Sequence, residues 1–158
     1  MSAKVVHQVA TLMRQWPRAS AALVFGVTGA ALPILWWSPL IFRTRAVLPF
    51  VLFIGTPGVS AAVVGGILGK PLLDPARVRS SINAALRGAA IASLALLLFA
   101  PMFATLYVLT QAPYEHWSIF NLTLLLLIGS AFVAWWLVAL IGAAAGLALY
   151  LVTSYVGR

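Results

Sequence analysis

The sequence predicts an all-α integral membrane protein with four transmembrane helices, an N-terminal amphipathic interfacial helix, and both termini on the inner (matrix or cytosolic) side. Of its 158 residues, 63% are hydrophobic and 8% are charged, whereas a soluble domain carries about a quarter charged residues. Four stretches reach the length of about 20 apolar residues that a bilayer requires. The basic residues also gather on one side of these stretches. This composition excludes a soluble globular domain, a disordered chain and a freestanding nucleic-acid-binding protein.

Residues 1–18 form the predicted interfacial segment. In a helix over residues 3–16, with 100° between successive residues, the apolar side chains share one face and the polar and basic ones the other. A basic helix that lacks acidic residues is suited to the headgroup region of a membrane. Pro17 ends this helix and is suited to be the first residue of the next one. The apolar face consists of Val5, Val6, Val9, Leu12, Met13 and Trp16.

Four predicted spans follow, and with the interfacial segment they make one membrane domain over 1–158. They cover about 19–41, 46–68, 88–110 and 122–152, and none contains Asp, Glu, Lys, Arg or His. Pro57 and Pro101 predict kinks in the second and third spans. The fourth stretch would be about 46 Å long as one helix, so it must tilt, bend or leave the hydrocarbon. Before the third span, Asp74-Pro75 predicts the start of an interfacial helix.

The basic residues predict the orientation of the spans. With four crossings, the N-terminal segment, the second loop and the C-terminus share a side that carries eight of the ten Lys and Arg residues. Arg43 and Arg45 lie on the other side. By the positive-inside rule both termini therefore face inward. Arginines near an inner surface also attract anionic phospholipid. Those predicted to contact cardiolipin-like headgroups are Arg14, Arg18, Arg77, Arg79 and Arg87.

The sequence contains few groups that could carry out chemistry. There is no cysteine, there are two acidic residues, and no ionisable side chain lies within a span. We therefore expect no catalytic, metal-binding or cofactor-binding residue, and no enzyme activity by the chain alone. The one acid–imidazole pair is Glu115-His116. Adjacent residues of a helix point about 100° apart, so we interpret this pair as a solvated loop, with a membrane enzyme as the competing hypothesis.

Pairs of small residues predict close helix packing. Gly65 and Gly69 are four residues apart, as are Gly142 and Gly146, and Ala139 lies near the face of the second pair. Small residues at this spacing allow helix backbones to approach each other. The sequence leaves open whether the partner helix belongs to this chain or to another protein.

The segment Gly55-Thr56-Pro57-Gly58 has two interpretations. It is either a packing kink or an unwound stretch that lines a path for a solute. Transporter sites of the second kind usually show matched breaks in two repeated halves. Pro101 has no flanking glycine and does not repeat the pattern, so we favour the packing kink.

The first 47 residues carry a resemblance to a known family. A basic amphipathic start (Met1–Val5), Trp16 just before the membrane, and a Gly-containing span that closes with Leu32-Pro33, Ser38-Pro39 and Arg43 follow in order. This order resembles the small single-span accessory subunit of mitochondrial NADH:ubiquinone oxidoreductase (complex I). The resemblance implies a non-catalytic subunit in the mitochondrial inner membrane, at the edge of a respiratory complex. No binding or catalytic residue is carried over.

We therefore expect a non-catalytic accessory or structural subunit of a larger membrane complex, with the respiratory chain favoured. Its role would be to stabilise assembly and to bind lipid. The expected partners are other membrane subunits and anionic phospholipid, without nucleic acid. The favoured location is the mitochondrial inner membrane, with a bacterial plasma or thylakoid membrane as alternatives. The alternative function is a small oligomeric channel or facilitator for a neutral solute.

Overall fold

A computed structural model describes residues 3–44, 47–74, 78, 80–111, 118–133 and 135–155. All secondary structure in these ranges is helical, which confirms the all-α prediction. The α-helices are α1 (Ala3–Gln15), α2 (Pro17–Thr44), α3 (Val47–Leu68), α4 (Ser81–Gln111), α5 (Ile119–Val133) and α6 (Trp135–Tyr155). A short 3₁₀ helix, Lys70–Leu73, follows α3.

Within the described part of the chain, three helices are long and apolar enough to cross a membrane. The apolar segments are Val51–Leu68, Ser81–Thr110 and Trp135–Ser154, and α5 adds a shorter one, Ile119–Ser130. Many of their large apolar side chains face outward, and Leu109, for example, is 71% exposed. Water-soluble monomers rarely expose apolar surface of this extent. The surface is typical of a membrane protein.

The helices form a bundle of antiparallel neighbours. Gly26 of α2 lies opposite Ala62 of α3, and Trp135 at the start of α6 lies opposite Ser93 of α4. α3 also packs against α4, which places α2, α3, α4 and α6 in sequence around the bundle. α5 packs mainly against α4.

The fourth predicted stretch, 122–152, corresponds to two described helices. α5 and α6 contain 15 and 21 residues, about 22 Å and 31 Å at 1.5 Å per residue. α4 packs against both of them. Residue 134, between the two, lies outside the described residues.

The connection before α4 differs from the predicted helix start at Asp74. Asp74 ends the 3₁₀ helix with extended backbone angles, and α4 begins at Ser81. Ser80 is the N-cap, because its hydroxyl accepts a hydrogen bond from the Asn83 N–H at 3.2 Å. Pro75 lies outside the described residues. Asp and Ser are about equally good N-cap residues, so the sequence does not choose between them.

The prolines predicted to kink the second and third spans lie inside continuous helices. Pro57 is within α3 and Pro101 within α4. A proline removes one N–H donor from the helix. Hydroxyl side chains donate to the proline carbonyl oxygens one turn later, from Ser60 at 3.0 Å and from Thr105 at 2.8 Å. These bonds do not replace the missing N–H, whose acceptor is the carbonyl oxygen four residues before the proline.

The 3₁₀ helix closes one end of the bundle. It contacts α2, α3, α4 and α6, and its Leu72 and Leu73 are buried. With Val78 they form part of a buried cluster that includes Phe25 of α2 and Leu149 of α6. α1 lies at the same end, where it contacts α2 and α6. Buried side chains from the 3₁₀ helix, α2 and α6 therefore meet at this end.

Candidate functional site

Small residues bring α2 and α3 together. A Cβ atom added at Gly26 would lie 3.0 Å from the Ala62 Cβ, and one at Gly29 would lie 2.8 Å from the Pro57 carbonyl oxygen. Both distances are shorter than ordinary van der Waals contact, so the two backbones are about as close as helices can come. The facing residues repeat every four positions on each helix: Ala22, Gly26 and Ala30 on α2, and Gly58, Ala62 and Gly66 on α3.

The two glycines predicted for helix packing in this region lie at the same contact. The backbone of Gly65 lies against Phe25 and the carbonyl oxygen of Ala21, and Gly69 lies against the Ala21 side chain. A Cβ on Gly65 would be 2.9 Å from the Phe25 Cβ. In this structure both glycines therefore contact a helix of their own chain.

The second predicted glycine pair lies between α4 and α6. Gly142 and Gly146 both lie against Gly88, and an added Cβ on Gly146 would be 2.5 Å from the Ala84 carbonyl oxygen. The main chains of α4 and α6 are therefore in direct contact at this crossing. Ala139, predicted for the same face, is half-buried on α6.

The partner glycines Gly26, Gly29 and Gly88 were not singled out from the sequence. A signal for them exists, because Ala22-Gly26-Ala30 and Ala84-Gly88-Ala92 also place small residues every four positions. Such a series indicates a packing face but does not say which helix packs against it.

Four described basic side chains lie at the end closed by the 3₁₀ helix, which we call the basic end. Arg14, Arg18, Lys70 and Arg87 are all exposed there. The Arg18 carbonyl lies beside Gly66 near the end of α3, and Lys70 begins the 3₁₀ helix. Three of the five arginines predicted to contact headgroups are therefore brought to one end. The other two, Arg77 and Arg79, lie outside the described residues.

Arg14 also has a structural contact. Its guanidinium donates a hydrogen bond to the Thr153 carbonyl oxygen at 2.5 Å, in the last turn of α6. The C-terminal carbonyls of a helix lack intrahelical donors and carry partial negative charge. A cation from α1 therefore satisfies one of them and fastens α1 to the bundle.

A surface groove runs from Arg87 along α4. Its volume is about 520 Å³. Arg87, Ala90, Ile91 and Leu94 follow one face of α4, and Leu68 and Pro71 complete the lining. A positive charge at one end of an apolar groove matches the pattern of a phospholipid, whose headgroup is polar and whose chains are apolar.

An apolar cavity of about 330 Å³ lies between α2, α3, α4 and α6. Aromatic rings form part of its wall, since Phe53 and Phe99 both line it and both contact Phe103 with ring centroids 5.8 Å and 5.5 Å apart. The described lining residues are Phe25, Thr28, Gly29, Pro33, Phe53, Pro57, Ser60, Ala61, Ala92, Ala95, Leu96, Phe99, Leu137, Val138, Ile141 and Gly142.

Within the Gly55–Gly58 segment, one residue contributes to helix packing and another lines the cavity. Gly58 packs against α2, where an added Cβ would lie 3.1 Å from the Ala30 Cβ. Pro57 lines the cavity, and a Cβ on Gly55 would meet nothing within 4 Å. A structural role for Gly58 is thus visible, while the solute path stays a prediction.

Among the residues that the structure describes, no group of three or more His, Cys, Asp or Glu side chains is placed to hold a metal ion. Glu115 and His116 lie outside those residues. No protein-family model, curated protein or solved structure matches the chain.

Proposed function

We propose that the chain is a non-catalytic accessory subunit of a larger membrane complex and that it binds anionic phospholipid at the basic end. The observation that carries the proposal is the Arg87 groove. Its charged end, Arg87, lies beside Pro71 of the 3₁₀ helix that Lys70 begins, and its apolar lining continues along α4. Each basic residue near an anionic membrane surface contributes about 1 kcal/mol of attraction.

The proposal includes four membrane crossings. In it α2 crosses together with α3 and α4, and α5 and α6 together make the last crossing. Both termini and the loop before α4 then lie on the inner side. The clustering of Arg14, Arg18, Lys70 and Arg87 at one end supports this arrangement, because positive charge is favoured on the inner side of a membrane.

Support for a protein partner comes from α5. This helix packs on α4 and exposes Phe120, Leu125 and Ile128. At Gly129 an added Cβ would meet nothing within 4 Å, so a helix of another subunit has room to approach closely there. The more specific expectation of a respiratory complex in the mitochondrial inner membrane rests on the N-terminal resemblance alone.

One experiment on native membranes tests both parts of the proposal. The tagged chain is solubilised in mild detergent, complexes are separated on native gels, and the proteins and lipids of the band are identified by mass spectrometry. We expect the chain to comigrate with a larger assembly of other membrane proteins. Migration only as a monomer or as copies of itself would refute the subunit role.

The lipid part is tested by Arg87→Gln, with Arg43→Gln as the matched control on the predicted outer side. Loss of one basic contact of about 1 kcal/mol lowers affinity about fivefold. We expect Arg87→Gln to retain correspondingly less anionic phospholipid in the isolated particle, while Arg43→Gln retains the normal amount. Equal anionic lipid in the wild-type protein and Arg87→Gln would contradict binding at the groove.

A further inference from the structure

The apolar cavity lies at the depth of the bilayer core. On α2 its lining runs from Phe25 to Pro33, about 12–24 Å along the helix from Pro17. A hydrocarbon core is about 30 Å thick, so a helix that starts at one surface places these residues in its middle. Toward the basic end, Leu72, Leu73 and Val78 fill the bundle. The cavity is thus closed from that end, and it is partly open elsewhere rather than sealed.

The lining selects an apolar occupant. Thr28 and Ser60 are the two polar side chains among the described lining residues. The Thr28 hydroxyl donates to the Val24 carbonyl oxygen at 2.7 Å, and the Ser60 hydroxyl donates to the Pro57 carbonyl oxygen at 3.0 Å. Both donors are therefore already used. A water molecule in a cavity needs two to four polar partners, so water is a poor occupant.

The volume is too large for an unfilled packing defect. Engineered apolar cavities of roughly 150 Å³ stay free of water and bind small hydrocarbons, and this cavity is about 330 Å³. The cost of leaving a cavity empty rises with its volume. Around a membrane-spanning bundle, the surrounding lipid provides hydrocarbon chains at high concentration, and the partly open wall gives them access.

We propose that the cavity binds one acyl chain of a bilayer phospholipid, inserted from the side of the bundle between α2, α3, α4 and α6. This site is separate from the Arg87 groove. It requires only that the chain crosses a bilayer, so it stands even if the protein belongs to no larger complex.

The test uses photocrosslinking in nanodiscs. The full chain is reconstituted with a phosphatidylcholine that carries a diazirine on one acyl chain, and crosslinked residues are mapped by mass spectrometry. We expect Phe99 and Ile141 to be labelled more strongly than Leu109 and Leu125, which are exposed on the outer surface. Labelling of the cavity residues at or below the level of these outer residues would overturn the proposal.

A cavity-filling variant provides the second readout. Ala95 is 5% exposed and lines the cavity, so Ala95→Phe fills part of it. Labelling of Phe99 and Ile141 should fall to the level of Leu109 and Leu125 or below it, because the added ring occupies the space that the acyl chain would fill. Leu97→Phe is the control, because Leu97 is exposed on the same helix and its replacement leaves the cavity open. Unchanged labelling in Ala95→Phe would also overturn the proposal.

Two further experiments cover the case in which Ala95→Phe does not fold and test a second source of hydrocarbon. If Ala95→Phe does not fold, Val138→Phe places the added ring in the same cavity from α6, with the same expected loss. An isoprenoid carrying the same diazirine tests the other hydrocarbon source. Cavity labelling by the isoprenoid but not by the phosphatidylcholine would reject the acyl chain as the occupant.

Discussion

Glycine at positions 88, 142 and 146 allows the main chains of α4 and α6 to touch. In lipid the hydrophobic effect does not drive helices together, so association depends on close van der Waals packing. A methyl group inserted between two backbones removes that packing over several neighbouring residues. A single methyl group added at any of these three glycines should therefore lower the stability of the bundle.

Gly146→Ala tests this sensitivity, with Gly129→Ala as the control. The added Cβ at 146 would lie 2.5 Å from the Ala84 carbonyl oxygen, whereas at 129 it would meet nothing within 4 Å. We expect Gly146→Ala to lower the free energy of unfolding by about 1–3 kcal/mol and Gly129→Ala to leave it unchanged or slightly raised. The measurement is the thermal unfolding midpoint in detergent. Equal midpoints for the two variants would contradict the close contact.

Arg14 links α1 to α6 through the Thr153 carbonyl. Because Arg14 is exposed, we expect the bond to contribute about 1 kcal/mol, less than the roughly 1.5–3 kcal/mol of hydrogen bonds to charged groups. Arg14→Ala should therefore increase amide hydrogen exchange in residues 3–15 about fivefold. Arg18→Ala serves as the control, with no increase expected in α1. Unchanged exchange in Arg14→Ala would show that α1 docks without this bond.

At the scale of single residues, the sequence predicted the packing glycines but not their partners and not the cavity. The four-residue spacing of Gly65-Gly69 and Gly142-Gly146 indicated helix contacts but not their partners, because a glycine pair carries no information about which helix approaches it. The cavity had no sequence signal. It arises where Phe, Ala and Pro side chains from four helices fail to fill the space between them, and that depends on packing rather than on any local pattern.

At the scale of helices, the bounds of α2 and α3 are close to those that the sequence predicts for the first two spans. The charged residues around 14–18 and 43–45 limit the second helix, so α2 over Pro17–Thr44 contains the predicted 19–41 span. The stretch 122–152 has no charged residue, proline or cap at its middle. The described residues of this stretch are helical on both sides of residue 134.

A side-chain hydrogen bond links α6 to α4. The Trp135 indole N–H donates to the Ser93 hydroxyl at 3.0 Å, which joins α6 to the middle of α4. Hydrogen bonds between membrane helices contribute about 0.6 kcal/mol on average. A double-mutant cycle of Trp135→Phe and Ser93→Ala should return a coupling of that size in unfolding free energy.

The neighbouring tryptophan provides the control for this cycle. Trp136 is 61% exposed, so Trp136→Phe combined with Ser93→Ala should show no coupling. If the two cycles give the same coupling energy, the Trp135–Ser93 hydrogen bond does not contribute to the packing of α6 against α4.

At the scale of the whole molecule, the two ends of the bundle differ. The basic end holds the 3₁₀ helix, α1, the buried cluster and four exposed basic side chains. The cavity lies beyond this closed end, among residues that are almost all apolar. Such an arrangement suits a protein that meets lipid headgroups on one surface and hydrocarbon inside the membrane. If the protein instead formed a path for a neutral solute, the side chains of the buried cluster would have to move apart, because they close one end of the bundle.

The central claim is that the chain crosses the membrane four times with the basic end on one surface. Because the sequence has no cysteine, single cysteines can be introduced at Gln8, Lys70, Ser118 and Gly157 and labelled from either side with an impermeant maleimide. The account predicts that Gln8, Lys70 and Gly157 react from the inner side and Ser118 from the outer side. Reaction of Gln8 and Lys70 from opposite sides, or of Ser118 from the same side as Gln8, would contradict it.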